Sequence, residues 1–177
     1  GIVGMGKISR LVVKKLSAFD MHIIASDPFV KQENVGDLPV RMTSAEEVYS
    51  TSDFVVVHTS LFPSTFHLVG AEQFGMMKPT AYIINASRGP IIDEAAMIEA
   101  LKDGEIAGAG LDVFEQEPIP AGDPAWTAKN LLIIPHISGQ MSLGYTRDRN
   151  VQLFCEDLER YGRGEKPLRL VDRRIGY

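Results

Sequence analysis

The chain has 177 residues, 45% of them apolar and 23% charged, and its 18 basic against 23 acidic side chains leave a net charge of −5. This is about one domain of ordinary globular composition, so global disorder is excluded. Apolar runs such as 54–57 and 131–134 are strand-sized, far below the ~20 residues of a membrane-spanning helix, and a pI near 5.4 argues against nucleic acid as the main partner.

Apolar runs alternate with helical patterns along the whole chain. A short strand over 1–3 ends at Gly4, and a helix over 7–19 carries Ile8, Leu11, Val12 and Leu16 at helical spacing. A strand follows over 21–25, then a capping-box pattern at Ser44 and Glu47 opens a short helix. Next come a strand over 54–57, a weak helix over 71–77 and a strand over 81–84. Asp93 is placed to cap a helix over 94–102, with Ala96, Met97, Ala100 and Leu101 inward. Strands over 107–113 and 131–134 precede a last helix over 145–161, whose stripe of Val151, Phe154, Cys155, Leu158 and Tyr161 is expected to face inward.

Strands alternating with helices, and apolar on both faces, predict an α/β fold with a doubly wound parallel sheet. The expected division is a dinucleotide-binding domain over 1–142 and a C-terminal helix and tail over 143–177. Stretches 27–42 and 115–129 are richest in turn residues and are predicted to be loops at the carboxyl ends of strands, where such sheets bind ligands. Cys155 is the sole cysteine, so no internal disulfide forms, which fits a reducing, cytoplasmic setting.

Gly4-Met5-Gly6-Lys7-Ile8-Ser9 follows a strand and opens a helix. Gly4 permits the tight turn, Gly6 lets the backbone approach a pyrophosphate, and position 9 calls for a small side chain where helix and strand pack closely. The helix N-terminus offers free N–H groups and partial positive charge to the anion. Asp27 ends the second strand, at the spacing where a carboxylate accepts hydrogen bonds from ribose hydroxyls and repels a 2′-phosphate. Together these predict NAD as the cofactor.

Arg88, Glu117 and His136 each follow an apolar strand, where a doubly wound fold builds its crevice. His58 ends a strand beside the cofactor region and is assigned no chemistry, while His22 and His67 are expected on the surface or in loops. No Cys, His and carboxylate cluster has metal-ligand spacing.

Four stretches carry a resemblance. Residues 85–95, reading Asn-Ala-Ser-Arg-Gly-Pro-Ile-Ile-Asp-Glu-Ala, resemble the arginine signature of the D-isomer-specific 2-hydroxyacid dehydrogenases. Residues 108–118 resemble that family's glutamate signature, residues 135–139 its histidine signature, and residues 167–172 its usual end. The resemblance implies a Rossmann-like NAD-binding domain and hydride transfer between nicotinamide and a small 2-hydroxy or 2-oxo acid. It implies His136 as acid/base, Glu117 as the partner fixing its tautomer, and Arg88 as the group that polarises the carbonyl and holds the substrate carboxylate. Asp112 would sit near the nicotinamide, with Lys7 and Ile8 at the pyrophosphate. Thr59, Ser60, Thr65, Ala86, Ser87, Arg88, His136 and Gly139 are the further cofactor positions it implies.

These residue types suit the reaction: a guanidinium stabilises charge developing on oxygen, and histidine gives or takes a proton near neutrality. The resemblance also implies a substrate domain, largely preceding the glycine loop. The chain is therefore expected to be a fragment with a truncated first strand and that domain missing, from a cytoplasmic homodimer. Ser60 replaces a proline common in the family. Ser138-Gly139-Gln140 resemble the related formate dehydrogenases, yet those carry Gln where this chain has Glu117, which favours the hydroxyacid branch. The alternatives are a phosphite or formate dehydrogenase on the same scaffold, and an NAD-sensing corepressor-like interaction protein.

Overall fold

The computed structural model describes residues 1–139 and 143–171; Gln140 and Asp172, which belong to two of the sequence motifs, lie outside them. The chain divides into two compact units, Gly1–His136 and Ile137–Tyr177, parting earlier than the sequence boundary at 142.

The first unit holds seven strands: β1 (Ile2–Val3), β2 (Ile24–Ser26), β3 (Arg41–Met42), β4 (Phe54–Val57), β5 (Tyr82–Asn85), β6 (Gly108–Leu111) and β7 (Leu131–Ile133). Every pairing is parallel, in the order β3-β2-β1-β4-β5-β6-β7. The order reverses at β1, between β2 and β4, and this is where a doubly wound sheet opens a crevice at its carboxyl edge. Connecting helices are α1 (Lys7–Leu16), α2 (Ala45–Thr51), α3 (Ala71–Met76) and α4 (Glu94–Asp103).

Two apolar clusters cover the sheet. Ile2 and Val3, neighbours on β1, belong to different clusters, as the two-residue alternation of a strand demands. The larger cluster gathers Val55, Val57 and Ile83 from the strands with Phe74 and Met97 from α3 and α4; the smaller gathers Met5, Val13, Ala25 and Val40.

Several expectations are corrected, beginning within the first unit. The stretch 27–42 is not all loop: a 3₁₀ turn occupies Gln32–Asn34 and β3 closes it as the sheet edge. On α1 the buried residues are Ser9 and Val13, while Ile8 and Leu11 are exposed, because close packing after the glycine loop turns position 9 onto the strand. Ser44 caps α2 through Glu47 N–H, but the Glu47 carboxylate turns to Arg41 and Thr43 Oγ1 instead of completing a capping box.

The second unit contains α5 (Gly144–Gly162). Asp157 accepts the backbone N–H groups of Leu168 (2.8 Å) and Arg169 (3.1 Å), and the Arg169 guanidinium reaches Glu156 at 2.6 Å, so the tail is tied back onto the helix. The expected inward stripe is not buried: Val151, Phe154, Leu158 and Tyr161 are all exposed. Cys155 is exposed with them rather than serving as a core residue.

Candidate active site

The nucleotide end is built from β1, α1 and β2. Gly4 has φ of +92°, and a Cβ there would lie 2.9 Å from Thr59 N, so both backbone and space require glycine. Gly6 is the N-cap of α1 without a side-chain cap, and nothing lies within 4 Å of where its Cβ would be. Open space beside an uncapped ten-residue helix is what an approaching pyrophosphate needs. Lys7 and Ile8 begin that helix, exposed. Ser9 is buried and its hydroxyl donates to Gly4 O at 2.6 Å, so the residue that replaces a third glycine also ties the loop to the helix.

Asp27 is more deeply involved than its spacing alone suggested. One carboxylate oxygen, Oδ2, accepts Met5 N–H at 2.8 Å, and Oδ1 accepts Phe29 N–H (2.8 Å) and Val30 N–H (3.2 Å). A carboxylate has about four acceptor positions, which leaves Oδ2 one position for a ribose hydroxyl. The residues present therefore fit a dinucleotide.

The loop after β4 carries Thr59, Ser60 and Thr65, all half-buried. The Thr65 hydroxyl donates to Ser60 O at 2.6 Å and accepts Phe62 N–H at 2.7 Å, which folds the loop on itself. Burial holds the His58 imidazole below its ordinary value. After β5 the turn is organised by buried Asn85, a residue not singled out in the sequence. Its Oδ1 accepts Ser87 N–H and Oγ–H, and its Nδ2 donates to Arg88 O at 3.0 Å. Ala86 and Ser87 are half-buried; Arg88 is exposed and donates from Nη1 to Ser87 O at 2.6 Å.

Glu117 and His136, far apart in sequence, meet at the ends of β6 and β7. His136 Nδ1 lies 2.7 Å from Glu117 Oε2. Glu117 Oε1 accepts Phe114 N–H at 2.9 Å. Partial burial pushes the Glu117 carboxyl upward, but the bonds from His136 and Phe114 outweigh it and hold it below the usual carboxylate range. An ionised carboxylate only accepts, so Nδ1 carries the hydrogen and Nε2 is left for chemistry. His136 has φ of +52°, a left-handed backbone that a non-glycine residue keeps only when its surroundings fix it.

The pair borders a cavity of about 460 Å³ lined also by Asp112, Phe114, Ile119 and Trp126. Asp112 is buried and its N–H donates to Asn85 O at 2.9 Å, linking the β5 and β6 ends. Arg88 does not line this cavity. Gly139 is exposed and belongs to the second unit. His22 is exposed, whereas His67 is half-buried and paired with Glu115 at 3.0 Å. Among the described residues no cluster of His, Cys, Asp and Glu could hold a metal, and no helix is long and apolar enough to cross a membrane.

Residues 1–138 match the family model for the D-isomer specific 2-hydroxyacid dehydrogenase, NAD binding domain. A glyoxylate reductase of Korarchaeum cryptofilum is 41% identical over 99% of this chain and 52% of its own length. The structure of D-lactate dehydrogenase with NAD+ from Lactobacillus jensenii superposes with a TM-score of 0.85 at 31% identity, over 98% of this chain and 55% of that one. A D-isomer specific 2-hydroxyacid dehydrogenase of Xanthobacter autotrophicus Py2, solved with NADPH and MES, gives a TM-score of 0.86 at 33% identity over 100% and 72%. The chain spans about half the length of the curated relatives it matches.

Proposed function

Because this chain belongs to the D-isomer specific 2-hydroxyacid dehydrogenase family, through its NAD-binding domain, we propose that it supplies the cofactor site and the acid–base pair of an enzyme that interconverts small 2-oxo and 2-hydroxy acids. The observation that carries this is the 2.7 Å contact between His136 Nδ1 and Glu117 Oε2 at the mouth of the cavity. Bound there, a nicotinamide dinucleotide supplies the hydride.

The chain's own residues do the rest. The glycine loop and the α1 N-terminus hold the pyrophosphate, and the remaining acceptor position of Asp27 takes a ribose hydroxyl. A 2′-phosphate would meet that carboxylate at close range, so NAD is favoured over NADP. During reduction of a 2-oxo acid His136 gives its Nε2 proton to the carbonyl oxygen, while Glu117 keeps the ring in one tautomer and stabilises its cationic form. Arg88, exposed after β5, swings from Ser87 O to the substrate carboxylate and offsets charge on the oxygen. The same reading includes a homodimer acting on free acids.

The test is turnover of a panel of 2-oxo acids with NADH by the intact protein that contains this chain, with and without His136→Gln. The substitution is expected to lower kcat by about 10²–10⁴-fold while NADH binding, read by its fluorescence, stays within about twofold, since the nucleotide end is built elsewhere. An unchanged rate would remove His136 from the chemistry. NADH binding by the intact protein without reduction of any 2-oxo acid would replace the enzyme with a nucleotide-sensing interaction protein.

A further inference from the structure

A second histidine–carboxylate pair lies outside the site just described. His67 Nε2 is 3.0 Å from Glu115 Oε1, and its Nδ1 is 3.7 Å from Asp93 Oδ2. The same Glu115 oxygen accepts Glu94 N–H at 3.1 Å, and Glu115 N–H returns a bond to the Glu94 carboxylate. His67 is fixed from its own side as well. Its φ is +49°, its N–H donates to Pro90 O at 2.8 Å, and the Phe66 ring stacks on it with centroids 4.0 Å apart.

These side-chain contacts join three strand-end segments, two of which also meet through backbone bonds such as Val69 N–H to Ile91 O at 3.1 Å and Asp93 N–H to Val69 O at 2.9 Å. The loop after β4 contributes His67, the turn after β5 contributes Asp93 and Glu94, and the loop after β6 contributes Glu115. On either side of the junction stand groups of the proposed chemistry. Glu117 follows Glu115 by two residues. Arg88 precedes Gly89, whose Cα abuts the Phe114–Glu115 peptide so closely that a Cβ would fall 2.0 Å from Phe114 C.

We propose that His67 and Glu115 form a clasp that positions the Glu117–His136 pair relative to Arg88, so that both are positioning residues. The proposal rests on the dehydrogenase reading for its kinetic consequence but not for its structural one. Its logic is that Glu117 orients His136 only if the 114–117 segment is itself immobile. Backbone packing at Gly89 fixes one point of that segment, and the clasp fixes the next.

Three variants test it. Glu115→Ala cuts the clasp, His67→Asn tolerates the left-handed backbone but is too short to reach, and Glu115→Gln keeps an oxygen to accept from both partners. The structural readout is the ring N–H proton resonance of His136 in the nitrogen-15-labelled chain, assigned by its loss in His136→Gln. Glu115→Ala and His67→Asn are expected to broaden or move it, and Glu115→Gln to restore it. In kinetics on 2-oxo acid the cutting variants should lose about tenfold in kcat, with KM for NADH and for the acid within about twofold and Glu115→Gln recovering the rate. A resonance unchanged in Glu115→Ala overturns the clasp. So does a rate loss that Glu115→Gln fails to restore and that tracks a fall in melting temperature and NADH affinity. A wild-type protein without 2-oxo acid turnover overturns only the proposed function, because the resonance still decides the clasp.

Discussion

At Gly89 the requirement for glycine is one of space rather than of dihedral angle. The residue is buried with ordinary backbone, and a Cβ would land 2.0 Å from both the carbonyl carbon and oxygen of Phe114. The atoms in the way are backbone on a loop fixed at Glu115 and Glu117, so no side-chain rotation relieves the clash. Gly89→Ala is expected to destabilise by about 1–3 kcal/mol, read as a lowered denaturation midpoint, and to lower 2-oxo acid turnover more than NADH affinity. An alanine variant as stable as the parent would mean that the 88–89 turn moves freely. Gly4, by contrast, combines φ of +92° with a backbone contact, and Gly6 has neither constraint, only open space. The three glycines thus serve close loop packing, turn geometry and ligand access in turn. Motif spacing made Gly4 and Gly6 legible. The contact of Gly89 with a segment from another loop was not legible, because nothing in local sequence encodes it.

Among the elements, α4 shows which force dominates. Asp93 caps it, accepting Ala96 N–H at 3.0 Å, and Gly104 ends it with φ of +74°. Met97 and Leu101 sit one turn apart on its buried face. Losing the cap costs about 1 kcal/mol, whereas emptying a fully buried Met site costs about 2–5 kcal/mol. Met97→Ala should therefore lower stability more than Asp93→Ala, by chemical denaturation; the reverse order would place the stability of α4 in its ends. The sequence predicted α4 and β4 closely because their apolar residues follow one period against one partner surface. It failed where tertiary contacts rotate or replace the pattern. Edge strand β3 has only Arg41 and Met42, too short for any periodicity. Helix α1 turns Ser9 inward because of close packing, leaving Ile8 exposed. Helix α5 has an apolar stripe with no buried residue. Of the candidate site, the strand-end placement of Asp27, Glu117 and His136 was legible in the sequence. The bond that Asp27 accepts from Met5 N–H, the turn built by Asn85 and the contacts of His67 were not, since each joins residues by side-chain geometry that spacing cannot specify.

For the whole molecule, the distribution of the core matters most. Every buried apolar residue among those described lies at or before Ala125. The first unit thus contains both apolar clusters and the whole sheet. A chain cut after His136 is expected to unfold cooperatively and to keep its denaturation midpoint within a few degrees of the parent, about what 1 kcal/mol shifts in a domain of this size. A molten or unfolded 1–136 chain would show that the second unit completes the core. The second unit, by itself, relies on polar bonds: Asp157 accepts two backbone N–H groups, with that from Leu168 leading the effect that holds its carboxyl below the ordinary value.

The strand order described above also has a consequence in time. Interior strand β1 leaves the ribosome before its partners, β2 and β3 then extend one side, and β4, β5, β6 and β7 extend the other in turn. No strand has to be threaded between two already joined, so each newly made segment meets an open edge, the easiest place for a nascent chain to add. Synthesis accordingly delivers the glycine loop and Asp27 before His136. The grip on the nucleotide is laid down before the proton donor exists.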